Sequence, residues 1–252
     1  MRVKDKSIIV TGAGSGIGKA MAMRFAQEGA NVIVNDISET GNETVREIHR
    51  AGGRAFFFQA DMTKSDQVKE LVDAAIIENR RLDVFVNNAG WTHLYRPALE
   101  VTEEEFDKVY SINVKSIYLS AMHAVPIFRK QGGGSFINIG STAGVRPPPG
   151  LTWYNGSKAA VIITSKSMAA EFGPDNIRTN VINPGFNPHT GLSEEFAGGP
   201  LTEDRIAVRI AAVPLRRLST LSDVSSAALY LASDEASFIN GICIEVDGGR
   251  SI

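Results

Sequence analysis

The chain has 252 residues, is 43% hydrophobic and carries a formal net charge of −2 at pH 7, with a pI near 6.1. This size and apolar content suffice for a large buried core, and the small net charge gives no strong field to attract nucleic acid or anionic lipid. The single cysteine, Cys243, excludes an intramolecular disulfide and favours a reducing compartment. The N-terminal apolar run is too short for a signal peptide, and no segment reaches the length of a membrane span. We therefore expect a cytoplasmic protein that binds neither nucleic acid nor membrane.

Short apolar runs alternate along the chain with stretches of helical periodicity. In chain order the pattern predicts strand 7–11, helix 17–28, strand 31–35, helix 39–50, strand 54–60, helix 66–79, strand 82–87, helix 103–130, strand 135–139, helix 153–172, strand 178–182 and strand 241–246. Pro126 is expected to kink or break the long helix. This alternation predicts an α/β fold with a Rossmann-type, doubly wound parallel sheet of seven strands and helices on both faces. Because it continues along the whole chain, we predict a single domain over residues 1–252.

One segment, at about 186–215, interrupts the alternation. It contains glycines, prolines and a short amphipathic patch around 203–212. A segment of this length beside a sheet edge is typical of a substrate lid.

The loop after the first strand is rich in glycine and opens a helix. Its glycines follow a G-x-x-x-G-x-G pattern rather than the strict G-x-G-x-x-G, and taken alone the loop is equally compatible with a structural turn. Its position offers free backbone amides and a helix dipole, which favour a pyrophosphate. We therefore predict a dinucleotide site whose contacts here are Gly12, Ser15, Gly16, Ile17 and Gly18.

Asp36 ends the second strand, 18 positions after Gly18. An acidic residue at this place binds the ribose hydroxyls in dinucleotide folds, and a local turn or N-cap role is compatible with that function. No arginine or lysine occupies Ser15, Ile37 or Ser38, where a 2′-phosphate would need a cation. The sequence therefore predicts NAD as the cofactor, with Ile37 beside Asp36 in the site.

Tyr154 and Lys158 are four positions apart on a predicted helix and so share one face. A free tyrosine has a pKa of about 10, and a base useful near neutrality needs a value lower by roughly two to three units. We expect Lys158 and an oxidised nicotinamide to supply this lowering by favouring the phenolate. The alternative is an ordinary amphipathic helix pair. The four histidines lack ligand spacing, so we predict no metal.

Together these motifs resemble those of the short-chain dehydrogenase/reductase family. The resemblance covers essentially the whole chain, in the family's order and approximate spacing. It is carried by the glycine loop, Asp61, Asn87-Asn88-Ala89-Gly90, Asn113, Ser141, Tyr154, Lys158, Asn183-Pro184-Gly185 and Asp247-Gly248-Gly249. It departs from the family in having 186–189 before Thr190, and Ile242 where many relatives have glutamine.

The resemblance implies an NAD-dependent oxidoreductase that interconverts a secondary alcohol and a ketone. It implies that Tyr154 is the catalytic base, that Ser141 bonds the substrate oxygen and that Asn113 holds a water relay to Lys158. It also implies a homotetramer, because the helices carrying Asn113 and Tyr154 are the family's usual dimer surfaces. The further cofactor contacts that it implies are Asp61, Met62, Asn88, Ala89, Gly90, Tyr154, Lys158, Pro184, Gly185 and Thr190.

Aromatic and polar side chains surround the expected position of the reacting carbon. Such a set suits a small-molecule alcohol or ketone with a hydroxylated ring, such as a sugar or polyol, and its cations suit an acid group. The predicted substrate residues are His93, Arg96, Ser141, Arg146, Trp153, Tyr154, Asn187 and His189. The alternative is that several of these side chains point to solvent or to another subunit.

Two other functions share this architecture. A 3-oxoacyl thioester reductase would usually prefer NADPH and need a basic surface for a carrier protein, of which Arg129 and Lys130 are a thin version. A non-catalytic dinucleotide sensor or scaffold has no use for a phenolate, so the intact set of Asn113, Ser141, Tyr154 and Lys158 argues against it.

Overall fold

All residues from 1 to 252 are described by the computed structural model. Its seven strands are β1 (Ser7–Val10), β2 (Asn31–Asp36), β3 (Arg54–Gln59), β4 (Val84–Asn87), β5 (Gly134–Ile139), β6 (Ile177–Pro184) and β7 (Cys243–Val246). They pair in parallel in the order β3-β2-β1-β4-β5-β6-β7. The chain reverses its direction of travel across the sheet between β1 and β4, and the predicted doubly wound parallel sheet is confirmed.

Nine α-helices connect or flank the strands. They are α1 (Gly16–Gln27), α2 (Gly41–Arg50), α3 (Ser65–Asn79), α4 (Glu103–Tyr110), α5 (Ser116–Gln131), α6 (Thr152–Phe172), α7 (Ser193–Ala197), α8 (Glu203–Ala211) and α9 (Leu221–Ala232). No helix is both long enough and apolar enough to cross a membrane. Both α7 and α8 lie in the segment that was expected to be a lid.

Neighbouring residues of the central strands enter two different cores, one on each face of the sheet. Ile8 and Val10 belong to the core that includes α1 and α9, whereas Ile9 belongs to the core that includes α3, α5 and α6. Phe85 on β4 is fully buried in the second core. A fully buried side chain of this kind stabilises the fold by about 1.5–3 kcal/mol. Because both faces are covered, these strands are continuously apolar rather than alternating.

The helix predicted over 103–130 is divided at a different place from the one expected. α4 runs into a π-helical turn at Ser111–Lys115, and α5 then continues the rod to Gln131. Pro126 lies inside α5 without ending it, so the expected break is absent. The wide turn carries Asn113. Single π turns inside α-helices are frequent at functional sites.

The sequence patterns did not identify α9, which packs on α1 and β6 and contributes Val224 and Leu229 to the core. A local signal for it exists. Thr220 accepts a hydrogen bond from the amide of Asp223, and the Asp223 carboxylate accepts one from the amide of Thr220. This reciprocal capping box starts the helix. Arg217 also binds Asp223 and holds the pKa of that carboxyl well below its usual range.

Candidate active site

The carboxyl ends of the strands open into a cavity of about 710 Å³. It extends from the loop after β1, past the ends of β4 and β5, to the segment after β6. In doubly wound sheets, ligands bind at this edge where the strand order reverses, here between β1 and β4. The fold therefore brings the sequence-predicted cofactor and reaction residues to one cavity.

The glycine loop leaves no room for side chains on its inner side. A Cβ on Gly18 would lie 2.2 Å from the carbonyl oxygen of Gly12, and a Cβ on Gly14 would lie 2.2 Å from Thr40 Oγ1. Gly12 also has a φ of +61°, which side chains adopt rarely. Ser15 begins α1 without a side-chain capping bond, so the first amides of the helix remain available. This cradle fits a pyrophosphate.

Asp36 is held rigidly at the wall of this cavity. Its Oδ2 accepts a hydrogen bond from the Gly14 amide at 2.9 Å, and its Oδ1 accepts one from the Ser38 amide at 3.0 Å. Ile37 and Ser38 follow it, and neither offers a positive charge. A carboxylate fixed in this way can accept hydrogen bonds from ribose hydroxyls, and its charge repels a phosphate at the same place.

The loops after β1 and β4 are tied together by hydrogen bonds. Asn88 Nδ2 donates to the carbonyl oxygens of Thr11 and Gly12, at 2.8 and 3.1 Å. Thr11 Oγ1 accepts from the amides of Asn88 and Ala89, both at 3.0 Å. Because Nδ2 of Asn88 is committed to these two carbonyl groups, this residue shapes the cradle in addition to lining it. The other predicted cofactor contacts that line the cavity are Ile17, Asp61, Met62, Ala89, Gly90, Pro184, Gly185 and Thr190.

Tyr154 and Lys158 project from α6 into the cavity beside Ser141, which follows β5. Both side chains are almost completely buried. Burial raises the pKa of Tyr154 to about 12, and the Ser141 hydroxyl acts in the opposite direction. Burial also lowers the pKa of Lys158 to about 8. In the protein chain itself, desolvation of the phenolate outweighs the Ser141 hydrogen bond and raises this pKa; the lowering expected with an oxidised nicotinamide stays a prediction.

The position of Lys158 explains this outcome. Its Nζ donates to the carbonyl oxygen of Ile139 at 2.9 Å and lies 5.8 Å from the centre of the Tyr154 ring. On the other side of that ring, Phe196 from α7 packs edge-on with a centroid distance of 5.0 Å. The segment after β6, which carries α7, thus contributes to the burial of the phenol.

Asn113 joins three parts of the site. Its Oδ1 accepts from the Trp91 amide at 2.8 Å, and its Nδ2 donates to the Trp91 carbonyl oxygen and to Ser157 Oγ, both at 2.9 Å. Ser157 in turn donates to the carbonyl oxygen of Tyr154 at 2.7 Å. The side chain of Asn113 therefore fixes the loop after β4 against α6, and it does not itself line the cavity.

The predicted substrate residues divide into two groups. Ser141, Arg146, Tyr154 and Asn187 line the cavity. Asn187 is 4% exposed, and its Nδ2 has no hydrogen-bond partner, so it offers a donor to a bound molecule. Arg146 Nη1 donates to the Arg250 carbonyl oxygen at 2.7 Å, which holds the guanidinium at the wall.

His93, Arg96, Trp153 and His189 do not line the cavity. Arg96 forms an ion pair with Glu105, and Trp153 Nε1 donates to the Ala98 carbonyl oxygen at 3.0 Å. His93 is fully buried, with Nδ1 2.8 Å from the Leu94 carbonyl oxygen. Four of the eight residues that suggested a hydroxylated ring thus lie outside the cavity: Arg96, Trp153 and His93 bond to other parts of the chain, and the side chain of His189 is exposed.

Other side chains take their places on the cavity wall. Trp91 and Tyr95, which the sequence also places near the reacting carbon, line the cavity, and so do residues that the sequence did not assign to the substrate: Lys108, Pro148, Leu151, Phe186, Leu192, Phe196 and Arg209. This end of the cavity is therefore more apolar than expected. The amphipathic patch at 203–212 was the available signal for Arg209, but its periodicity does not indicate which face meets the cavity.

Comparisons with known proteins agree with this geometry. A family model described as enoyl-(acyl carrier protein) reductase matches residues 12–251. The chain is 46% identical to the 4-formylbenzenesulfonate dehydrogenase of Comamonas testosteroni, with both chains fully covered. It is 40% identical to a 3-oxoacyl-(acyl-carrier-protein) reductase of Thermotoga maritima, again over the whole of both.

Among solved structures, the 3-ketoacyl-(acyl-carrier-protein) reductase of Brucella melitensis in complex with NADH superposes with a TM-score of 0.91. It is 36% identical, and the match covers 99% of this chain and 100% of the other. A 7α-hydroxysteroid dehydrogenase in complex with NADH and 7-oxo glycochenodeoxycholic acid gives a TM-score of 0.92 at 35% identity, covering 98% and 95% of the two chains.

The chain belongs to the short-chain dehydrogenase/reductase family. It is an oxidoreductase acting on CH–OH groups rather than a scaffold, and its cofactor is a nicotinamide dinucleotide. The glycine loop, in which a Cβ on Gly14 or Gly18 would collide with neighbouring atoms of the chain, fits that group. One cavity of this short-chain dehydrogenase/reductase therefore contains the predicted cofactor residues together with Ser141, Tyr154 and Lys158.

Proposed function

We propose that this short-chain dehydrogenase/reductase uses NAD to interconvert a secondary alcohol and a ketone, with Ser141, Tyr154 and Lys158 as its catalytic residues. The observation that carries the proposal is the buried phenol of Tyr154, which stands between Ser141 and Lys158 in the cavity that begins at the glycine cradle. The bound nicotinamide supplies or accepts the hydride. Side chains of the protein donate and accept the proton.

In ketone reduction, the Tyr154 hydroxyl donates its proton to the carbonyl oxygen as that oxygen gains negative charge. Burial raises the pKa of this hydroxyl to about 12, so the phenol carries its proton at neutral pH. The Ser141 hydroxyl donates a second hydrogen bond to the same oxygen. In alcohol oxidation the proton moves the other way, and the Lys158 ammonium stabilises the phenolate that accepts it.

Asn113 is proposed to hold the water through which Lys158 exchanges protons with solvent. A Cβ on Gly90 would lie 3.4 Å from Asn113 Oδ1 and 3.5 Å from Lys158 Nζ, so both polar groups approach the same small space. The π turn at Ser111–Lys115 supports the proposal, because a widened turn alters the main-chain hydrogen bonding of the helix at this point.

The preference for NAD rests on Asp36. A carboxylate about 4 Å from a 2′-phosphate is repelled by roughly 4 kcal/mol for each charge pair at an effective dielectric of 20, and solvent reduces that figure. No cationic side chain at Ile37 or Ser38 offsets the repulsion. We expect NAD to be favoured over its phosphorylated form by roughly a hundredfold in kcat/KM.

The substrate proposed here differs from the sugar or polyol suggested by the sequence. Trp91, Tyr95, Phe186 and Phe196 give the substrate end of the cavity large aromatic surfaces. These surfaces suit the faces of a carbon ring, and the relatives that act on 4-formylbenzenesulfonate, cyclopentanol and hydroxysteroids have ring compounds in their names. A ring alcohol with an apolar body is therefore the proposed substrate class.

The second candidate is reduction of a 3-oxoacyl thioester, which the names of two relatives favour. The surface patch that could bind an acidic carrier protein, Arg129 and Lys130, supports this candidate only weakly, because Arg129 is already paired with Asp175 at 2.7 Å. The two candidates differ in substrate, which is the sharper distinction, because the 3-ketoacyl-(acyl-carrier-protein) reductase of Brucella melitensis is itself in complex with NADH.

One experiment tests both candidates. Secondary ring alcohols and a 3-oxoacyl thioester are assayed with NAD and with its phosphorylated form, by the absorbance of the reduced nicotinamide. We expect turnover of ring alcohols with NAD, and a loss of at least a thousandfold in kcat for Tyr154→Phe with cofactor affinity unchanged. Preference for the phosphorylated cofactor and the thioester would decide for the second candidate. Activity of Tyr154→Phe within tenfold of the parent would remove the tyrosine from the mechanism.

A further inference from the structure

The charged side chains of the cavity are segregated by sign. Its acidic residues are Asp36 and Asp61, which follow β2 and β3 at the cofactor end. Its basic residues are Lys108, Arg146, Lys158, Arg209 and Arg250, none of which follows those two strands. The substrate end of the cavity therefore has a positive potential that no acidic group on its wall neutralises.

Arg209 is the one of these cations that lies in the predicted lid, and most of its hydrogen-bond donors are unused. It lies on α8, and its guanidinium carbon is 4.1 Å from the centre of the Phe186 ring. Its one hydrogen bond is a long one, 3.4 Å from Nη2 to the Phe196 carbonyl oxygen. A guanidinium has five N–H donors, so most of those on Arg209 remain unused.

No carboxylate competes for this guanidinium. Arg209 forms none of the ion pairs of the protein, and the glutamates of the neighbouring helix α7, Glu194 and Glu195, do not line the cavity. Partial burial and the nearby charge of Arg205 both lower the pKa of Arg209. A half-buried cation without a counter-ion gains stability when an anion binds to it.

Arg209 is also at a suitable place relative to the reaction. Phe196, whose carbonyl oxygen it contacts, packs on the ring of Tyr154, and Phe186 follows Gly185 at the cofactor. A ring lying against these aromatic side chains with its alcohol at Tyr154 would extend its far end towards α8. A planar guanidinium stacked on an aromatic face is well suited to grip a carboxylate or sulfonate with two hydrogen bonds.

We propose that Arg209 binds an anionic group, a carboxylate or a sulfonate, at the end of the ring substrate opposite the reacting alcohol. This inference rests on the proposed function, since it assigns the specificity of the same cavity. Arg209 is thus a specificity-determining residue that the lid brings to the substrate, and it selects acidic ring alcohols over their neutral counterparts.

The test compares a matched pair of alcohols, 4-(1-hydroxyethyl)benzoate and 1-phenylethanol, with NAD. Three variants are used: Arg209→Ala, Arg209→Lys, which keeps the charge but loses the two-pronged geometry, and Val208→Ala as an exposed control on the same helix. We expect Arg209→Ala to raise KM for the benzoate about tenfold to a hundredfold, and KM for 1-phenylethanol by less than twofold. Arg209→Lys should lie between parent and alanine, and Val208→Ala should resemble the parent.

The proposal is overturned if Arg209→Ala changes KM for both alcohols equally or for neither, or if Val208→Ala causes the same loss. A binding measurement keeps this result separate from the proposed function. The ketone 4-acetylbenzoate is titrated calorimetrically into the enzyme saturated with NAD, a pair that cannot react. If the parent oxidises neither alcohol, the proposed function fails; weaker 4-acetylbenzoate binding by Arg209→Ala then still supports the anion site. Equal binding by parent and variant, or none by the parent, overturns it.

Discussion

Lys158 is expected to destabilise the cofactor-free protein, so that Lys158→Met should make the fold more stable while abolishing activity. The ammonium is 5% exposed and has one hydrogen bond, to the carbonyl oxygen of Ile139 at 2.9 Å. No carboxylate pairs with it within the chain. Burial accordingly lowers its pKa from 10.5 to about 8. Methionine has a similar length and no charge, and it fills the same space.

The magnitude follows from this pKa. A change from 10.5 to about 8 corresponds to about 3 kcal/mol of unfavourable free energy when the lysine is charged, at about 1.4 kcal/mol for each pH unit. Loss of the hydrogen bond to Ile139 costs about 1 kcal/mol. The net gain for Lys158→Met is therefore about 2 kcal/mol at pH 7, which corresponds to a rise in Tm of roughly 5 °C for a chain of this size.

The sign of the pH dependence is fixed by the same shift. Below pH 8 the folded and unfolded states both bind the proton, so the parent bears the full cost. Between pH 8 and 10.5 the unfolded state keeps a proton that the folded state has lost, so the parent gains stability as pH rises. Lys158→Met lacks this gain. The measurement stays below pH 10, because burial raises the pKa of Tyr154 to about 12 and ionisation of that residue in the unfolded state then opposes the effect.

The assay is thermal unfolding without cofactor at pH 7 and at pH 9.5. Lys166→Met is the matched control, since Lys166 is exposed on the same helix. We expect Lys158→Met to have the higher Tm at pH 7, with an advantage that shrinks at pH 9.5, and Lys166→Met to follow the parent at both. A Tm for Lys158→Met below that of the parent at pH 7, or a difference independent of pH, would refute the reasoning.

Two further predictions concern the cofactor cradle and the assembly. Gly18→Ala should weaken binding of the reduced cofactor by at least a hundredfold in a fluorescence titration, because its Cβ would lie 2.2 Å from the Gly12 carbonyl oxygen and force the loop open. Gly173→Ala is the control for the loss of a glycine, because Gly173 has a φ of −54° and a Cβ there would meet only the side chain of Asn240, at 3.3 Å. Equal binding by Gly18→Ala and parent would contradict the account. The protein should sediment as a homotetramer, with α5 and α6 at its interfaces, since these helices expose Tyr118, Met122 and Ile163; a mass near the single-chain 27.1 kDa would rule this out.

The amino-acid sequence by itself determined the order of strands and helices, the phosphate cradle and the positions of Asp36, Tyr154 and Lys158. These features depend on local patterns. Continuous apolar runs predict strands buried on both faces, glycines mark the turn that a phosphate needs, and a spacing of four puts two side chains on one helix face. The missed helix α9 also had a local signal, the capping box at Thr220, but it followed the irregular lid segment and was not recognised.

Tertiary structure alone decided what lines the substrate end. Arg96 lies after β4 like its cavity-lining neighbour Tyr95, yet it pairs with Glu105 nine residues further on. Trp153 is next to Tyr154 but points the other way, where it packs edge-on against Phe106 at 5.4 Å. Side chains on loops have no period that fixes their direction, so their orientation depends on partners that packing brings close.

The electrostatics of the site also depended on packing. The pair Tyr154 and Lys158 suggested a lowered tyrosine pKa when an oxidised nicotinamide is bound. In the protein chain itself burial raises that pKa, and Phe196, which packs on the ring, contributes to this burial. Desolvation depends on every atom around a group, including atoms far away in the sequence. For the same reason only the tertiary structure could place Arg209, about fifty-five residues after the tyrosine, on the cavity wall.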